Sequence, residues 1–180
     1  MSLIFLVRHC QTTGQEPDAP LTALGDEQAH ALAAFLLPLD IERIVASPYR
    51  RAVQSIAPFA QTRGLTIETD ARLRERTLSP TPDDVPATFY SRTFTEPELA
   101  LPGGESSREA GDRAEAVLNE ARAGGRTTAL ISHGNLLALL LDRYRTPLGF
   151  DGWRALTNPD VYRIRTTESE TTLVRLWSTL

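Results

Sequence analysis

Lysine is absent from this chain of 180 residues: all 19 basic side chains are arginine. That absence excludes Schiff-base lysine chemistry and the phosphate-binding lysine of a P-loop. It leaves the guanidinium, a planar fork suited to phosphate oxygens, as the only permanent cation. Cysteine is nearly absent. Cys10 stands alone, so neither an intrachain disulfide nor a cysteine-based metal cage can form, and a reduced, cytoplasmic setting is the default expectation. Long apolar runs are missing too. Leu3 to Val7 meets Arg8 at once, too short for a secretory core, and no stretch approaches a membrane span. Nor is there an excess of basic charge. The formal net charge is -4 and the pI about 5.4, so no global field points to nucleic acid or an anionic membrane as partner. With 41% hydrophobic and 23% charged residues, the chain reads as an ordinary globular protein, one domain over residues 1–180.

What is present is an alternation of strand and helix signals. Leu3-Ile4-Phe5-Leu6-Val7 reads as a short strand buried on both faces. Thr22 caps a helix running to about Leu37, with Ala29, Leu32, Ala33 and Leu36 on one face and Pro38 as the stop. Arg43 to Ala46 is a second strand. Ser47-Pro48 then reads as N-cap and first helical residue of a helix ending at Gly64, with a kink or break expected at Pro58. Leu65 to Thr69 is a third strand. Residues 76 to 104 hold several prolines and no long periodic run, the pattern of a substrate-facing insert. Ser106 caps a helix to about Ala123, closed by Gly124-Gly125. Thr127 to Ser132 is a strand and Leu136 to Tyr144 an apolar helix, ended before Pro147. Asp160 to Arg165 and Thr172 to Trp177 alternate as a terminal strand pair.

This order indicates a three-layer α/β/α sandwich on a mixed, mostly parallel sheet. Sites in such sheets gather at the carboxyl ends of strands. That rule nominates Arg8-His9-Cys10, Ser47 to Arg51, the turn after Thr69, and Ser132-His133-Gly134. His9 alone would read as a satisfied structural histidine. Arg8 beside it changes the balance, because two cationic donors at one strand end suit an oxyanion and serve no packing purpose. The third histidine, His30, falls on a helix and reads as surface.

Arg8-His9-Cys10-Gln11-Thr12 resembles the Arg-His-Gly-[Glu/Gln]-Thr signature of the histidine phosphatase superfamily, which includes the cofactor-dependent phosphoglycerate mutases. Leu21-Thr22-Ala23-Leu24-Gly25 resembles the start of that family's first helix. Ser47-Pro48-Tyr49-Arg50-Arg51-Ala52-Val53-Gln54-Ser55 resembles its Ser-Pro-x-x-Arg-Ala-x-Gln-Thr element. Leu73-Arg74-Glu75 looks like its Leu-x-Glu segment, and Gly104-Glu105-Ser106 with Arg113 like a further element. Ile131-Ser132-His133-Gly134-Asn135 is similar to its second-histidine motif, and Asn158-Pro159-Asp160-Val161 to its Asn-x-x-Val segment. The agreement spans residues 3 to about 164, and the motifs occur in the family's order.

The resemblance implies a phosphoglycerate mutase-like fold and a metal-independent enzyme that needs no cofactor. In it His9 attacks phosphorus, while Arg8, Arg51 and His133 stabilise charge on the equatorial oxygens. Glu75 serves as general acid and then as base. Backbone N–H groups of Gly134 and Asn135 are further phosphate donors, and Thr12 and Arg76 are further binding candidates. Tyr90 and Arg92, within the insert, are candidates for substrate contact. A general acid must carry a proton on demand, whereas Arg72, Arg74 and Arg76 favour the Glu75 carboxylate; the negative phosphate of a bound substrate would redress this.

Two departures stand out. Cys10 replaces the usual glycine, which predicts a restricted approach to His9 or sensitivity to oxidation. The Gly and Trp-Glu-Gly elements that often follow the acid are replaced by Ser79-Pro80-Thr81, so substrate class cannot be transferred. The expected function is hydrolysis of a small phosphomonoester. A mutase is the first alternative, disfavoured because mutases of this family carry a C-terminal extension over the site, whereas this sequence stops at Leu180. A non-catalytic phosphate-binding module is the second, and a protein phosphohistidine phosphatase a further possibility. Oligomeric state is not readable.

Overall fold

The first strand, β1 (Ser2–Arg8), becomes the middle of the molecule because both its faces are apolar. In this computed structural model, which describes residues 2–81, 85–144 and 148–177, β1 lies between β4 (Thr128–Ser132) and β5 (Asp160–Thr166). Its side chains alternate as a strand requires. Ile4 and Leu6 enter one core and Phe5 and Val7 the other.

The sheet has six strands in the order β3-β2-β4-β1-β5-β6, with β2 at Arg43–Ala46, β3 at Ile67–Thr69 and β6 at Thr171–Arg175. The pairs β1·β4, β2·β4 and β2·β3 are parallel; β5 and β6 add an antiparallel edge. Helices α1 (Ala23–Leu36) and α2 (Arg50–Arg63) pack together on one face, over Phe5, Val7, Ile44 and Ile131. Helices α4 (Ser107–Ala123) and α5 (Gly134–Asp142) cover the other, over Ile4, Leu6, Val45 and Leu130. The result is the three-layer α/β/α architecture with a mixed sheet.

Most of the capping chemistry acts as the sequence suggests. The Thr22 hydroxyl accepts from the Gly25 amide at 2.9 Å, and Ser106 forms a reciprocal capping box with Glu109. Gly64 closes α2 at φ +64°, a left-handed conformation that glycine adopts without cost.

Four features differ from the sequence reading. Helix α2 begins at Arg50, so Ser47 is not its N-cap. It also continues through Pro58 without a break. The stretch 76–104 carries α3 (Ala87–Thr95), whose Tyr90 and Phe94 pack on Trp153 of α6 (Gly149–Arg154). Aromatic and β-branched residues are modest helix formers, so it is this packing that fixes α3. Helix α5 starts two residues earlier than the apolar run suggests, directly after His133; Pro147, its expected stop, lies outside the described residues. Among the described residues no helix is long and apolar enough to cross a membrane.

Candidate active site

Three parallel strands end side by side, and their registers (Arg8 opposite Ser132, Ala46 opposite Ile131) deliver His9, Ser47 and His133 to one edge. The turn after β3 joins them. Asp70 N–H donates to Ala46 O, and Ser132 Oγ donates to Leu73 O at 2.9 Å, which draws Glu75 to the same edge.

His9 is buried, and its Nδ1 lies 2.7 Å from the carbonyl of Cys10. A carbonyl only accepts, so Nδ1 carries the proton and Nε2 keeps its lone pair. Burial, aided by Arg51 and Arg8, pulls the imidazole down to about 3, against the opposing Cys10 hydrogen bond. The ring is therefore neutral and nucleophilic at ordinary pH. Its own carbonyl is held by Asn158 Nδ2 at 2.7 Å.

Arg51 is fully buried, donates through Nε to His9 Nε2 at 3.3 Å, and sends NH1 to the carbonyls of Gln15 and Glu16. The loop between β1 and α1 therefore wraps over this guanidinium. Arg8 places NH1 on Leu156 O at 2.8 Å and lies flat against Gly134, where an added Cβ would come within 3.0 Å of the guanidinium. Burial lowers both arginines from their ordinary value, and Glu75 opposes that shift in both cases. The one carboxylate thus offsets two desolvated cations.

His133 is fully buried, with its ring 5.1 Å from that of His9 and 5.0 Å from that of Tyr49, both edge-on. Burial first, then His9 and Arg51, holds it well below the usual histidine range. Its Nε2 lies 2.7 Å from Ser47 Oγ. Its Nδ1 has no partner among the described residues, and the same holds for Arg8 Nε and for the side-chain amide of Asn135. Buried polar groups are rarely left unpaired. Among the described residues the other such groups belong to Arg122 and Arg163, and the set on Arg8, His133 and Asn135 is the one gathered at the strand ends, as expected of a site that receives an oxyanion.

Glu75 forms no ion pair with the guanidinium groups of Arg72, Arg74 or Arg76 among the described residues. Its carboxylate accepts from the amides of Arg76, Asn135 and Leu136, at the positive end of α5. Arg72 pairs with Asp70 and Glu120, and Arg74 with Glu105. The Asn135 amide named as a phosphate donor is therefore occupied by Glu75. Arg76 is buried and donates to Glu105 O and Ser107 Oγ, so its polar contacts lie at the start of α4. Thr12 donates its hydroxyl to Pro20 O and Gly14 O, tying down the loop over Arg51. Arg92 forms an exposed pair with Glu96, and Tyr90 stacks on Trp153 at 5.6 Å between centroids. The structure thus brings His9, Arg8, Arg51, Glu75 and His133 together; Arg76, Thr12, Tyr90 and Arg92 make their contacts elsewhere.

Glu105 and Arg113 do work that their motif alone did not disclose. Arg113 pairs with Glu105 through Nε and NH2 and donates NH1 to the carbonyls of Arg72 and Arg74. Glu105 also accepts from the Thr77 amide. The pair latches both flanks of Glu75. Cys10 likewise differs from expectation. Its side chain belongs to the buried core cluster under α1 and α2, and burial pushes the thiol up to about 11. It therefore packs as a small hydrophobe and is poorly suited to oxidation. Residue 10 also has no positive φ, so glycine is not required there.

The pattern of the histidine phosphatase superfamily (branch 1) matches residues 4–179. A probable phosphoglycerate mutase (GpmB) of Yersinia enterocolitica is 34% identical, over 78% of this chain and 74% of its own. The corresponding Shigella boydii protein is 31% identical, over 94% of this chain and 87% of its own. Among solved structures, a mycobacterial glucosyl-3-phosphoglycerate phosphatase superposes with a TM-score of 0.77 at 25% identity, covering 96% of each chain. Bacillus stearothermophilus YhfR superposes with a TM-score of 0.79 at 24% identity, covering 97% of this chain and 96% of that one, a likeness of fold. In sequence and architecture alike, the chain belongs to the histidine phosphatase superfamily, branch 1.

Proposed function

We propose that this chain is a phosphomonoester hydrolase that works through a phosphohistidine on His9. The observation that carries the reading is the pairing of a neutral, buried His9 with buried donors that lack partners among the described residues, Arg8 Nε and His133 Nδ1. The Nε2 lone pair forms the N–P bond as the bond from phosphorus to the leaving oxygen breaks. Arg8, Arg51 and His133 balance charge on the three remaining oxygens, work that fixed cations do well in a water-poor site. Glu75 gives the leaving oxygen its proton. It then takes one from the water that forms the new P–O bond and releases His9. These roles need no metal or cofactor.

Relatives named as probable phosphoglycerate mutases support a second reading, in which phospho-His9 returns its phosphoryl group to a phosphoglycerate. The structural relative named as a glucosyl-3-phosphoglycerate phosphatase contains the same acid unit in its substrate name. Phosphorylated glycerates are therefore the first substrates to test under both readings. The deciding experiment compares hydrolysis of phosphoglycerates and an aryl phosphate in EDTA with interconversion of 3- and 2-phosphoglycerate in the presence of 2,3-bisphosphoglycerate. Hydrolysis without efficient interconversion is expected. Efficient interconversion would replace the hydrolase with the mutase, and activity that vanishes in EDTA would overturn the metal-free mechanism.

A further inference from the structure

We infer that Ser47 is the positioning residue of His133: its hydroxyl holds the Nε2 edge of the ring, so that Nδ1 is the nitrogen presented to the phosphoryl group. The inference takes its ligand from the phosphohydrolase reading above and its geometry from the strand ends. Ser47 directly follows β2 and His133 directly follows the adjacent strand β4. The Ser47 amide donates to Ile131 O at 2.9 Å, which fixes its backbone against β4. Both side chains are fully buried, and Oγ lies 2.7 Å from Nε2. The Tyr49 amide donates to the same Oγ at 3.2 Å. The edge-on rings of Tyr49 and His9 flank the imidazole, so a ring held at Nε2 has Nδ1 as its remaining polar edge, the one without a partner among the described residues.

The choice of a hydroxyl matters. It can donate or accept, whereas a carboxylate only accepts and an alanine does neither. With His133 neutral, Ser47 can donate to Nε2 or accept from it. With both ring nitrogens protonated, Nε2–H donates to Ser47 Oγ and Nδ1–H is free for a phosphate oxygen. Serine at this position therefore lets the second proton arrive with the anion. The charged and titratable groups that act on His133 are His9, Arg51, Arg113 and Arg8, all of which oppose its protonation in the empty site. Glu75 stands at the start of the same helix, on the amides of Asn135 and Leu136, and Tyr49 offers its ring edge. A bound phosphate dianion reverses the sign of that surrounding field.

Removing the hydroxyl takes away the acceptor for Nε2–H and so disfavours the doubly protonated ring in the complex. The alkaline limb of the rate profile must then move to lower pH. The test compares the wild-type chain with S47A, the near-isosteric but weakly hydrogen-bonding S47C, and S47T, which keeps a hydroxyl. Aryl phosphate hydrolysis across the pH range, together with calorimetry of inorganic phosphate in two buffers of different ionisation heat, counts protons taken up on binding. We expect S47A and S47C to lose on the order of tenfold to a hundredfold in kcat, to shift the alkaline limb down by about one unit, and to take up fewer protons, with S47T near wild type. An unmoved limb and unchanged proton uptake in both S47A and S47C would overturn the positioning role, whatever their stability. A wild type that binds phosphate without hydrolysing esters would instead sink the hydrolase reading and leave the proton count to judge Ser47.

Discussion

Arg51 donates its Nε–H to Nε2 of His9, 3.3 Å away, while its NH1 group is held by two carbonyls of the loop before α1. A side chain that reaches both the attacking atom and the covering loop must be planar, multidentate and permanently charged. Lysine keeps the charge but not the fork. Arg51→Lys should therefore lower kcat/KM by about a hundredfold, a typical loss for one preorganised donor. Steady-state kinetics check this, with circular dichroism confirming an intact fold. Activity within a few-fold of wild type would show that Arg51 serves the loop and not the reaction.

Glu75 sits on the amides of Asn135 and Leu136, one turn of chain from His133. If it protonates the leaving oxygen, the penalty for its loss depends on how much the leaving group needs that proton. Glu75→Gln should lower kcat by about a hundredfold or more for an alkyl phosphate and far less for a nitrophenyl phosphate, whose leaving group departs as a stable anion. Equal losses on both substrates would assign Glu75 to offsetting the charge of Arg8 and Arg51 alone.

Gly134 lies under Arg8, and a Cβ there would stand within 3.0 Å of the guanidinium. Helix α5 itself would tolerate alanine. Gly134→Ala should consequently leave the thermal midpoint almost unchanged while raising KM about tenfold or more, since Arg8 must move. A normal KM would mean that Arg8 relocates without consequence for phosphate binding.

Cys10 is buried and its thiol is pushed up to about 11. The thiolate is the reactive form, so folded protein should resist iodoacetamide at neutral pH and react only as the pH nears that value or on unfolding. Mass spectrometry follows the alkylation. Rapid labelling of the native chain at neutral pH, with loss of activity, would restore Cys10 as an oxidation-sensitive neighbour of His9.

The sequence carried the sheet, the outer helices and the strand-end cluster because those features obey short-range rules. A continuous apolar run marked β1, periodicity marked α1 and α4, and parallel strands bring their carboxyl ends together by topology. What escaped depends on tertiary partners. Helix α3 exists because Tyr90 and Phe94 find Trp153, some sixty residues further along the chain. Ser47 resembled an N-cap because Ser-Pro before a helix usually is one; its real partner, His133, is 86 positions away. Arg76 looked available to substrate, yet it is buried against the 99–107 segment. Cys10 was expected to restrict the approach to His9 or to be sensitive to oxidation, whereas its side chain enters the core. The Glu105–Arg113 latch was visible as a motif, but its effect on the Glu75 segment became clear only from the carbonyls that Arg113 holds.

The central claim is a covalent phosphoryl group on His9, and the most direct measurement is to trap it. Wild-type chain mixed with an excess of aryl phosphate, quenched in base because phosphohistidine is labile in acid, should carry one phosphoryl group on the peptide containing His9, and His9→Ala should carry none and hydrolyse nothing. Hydrolysis by the wild type with His9 unmodified at every time point, or turnover by His9→Ala at the wild-type rate, would contradict the mechanism.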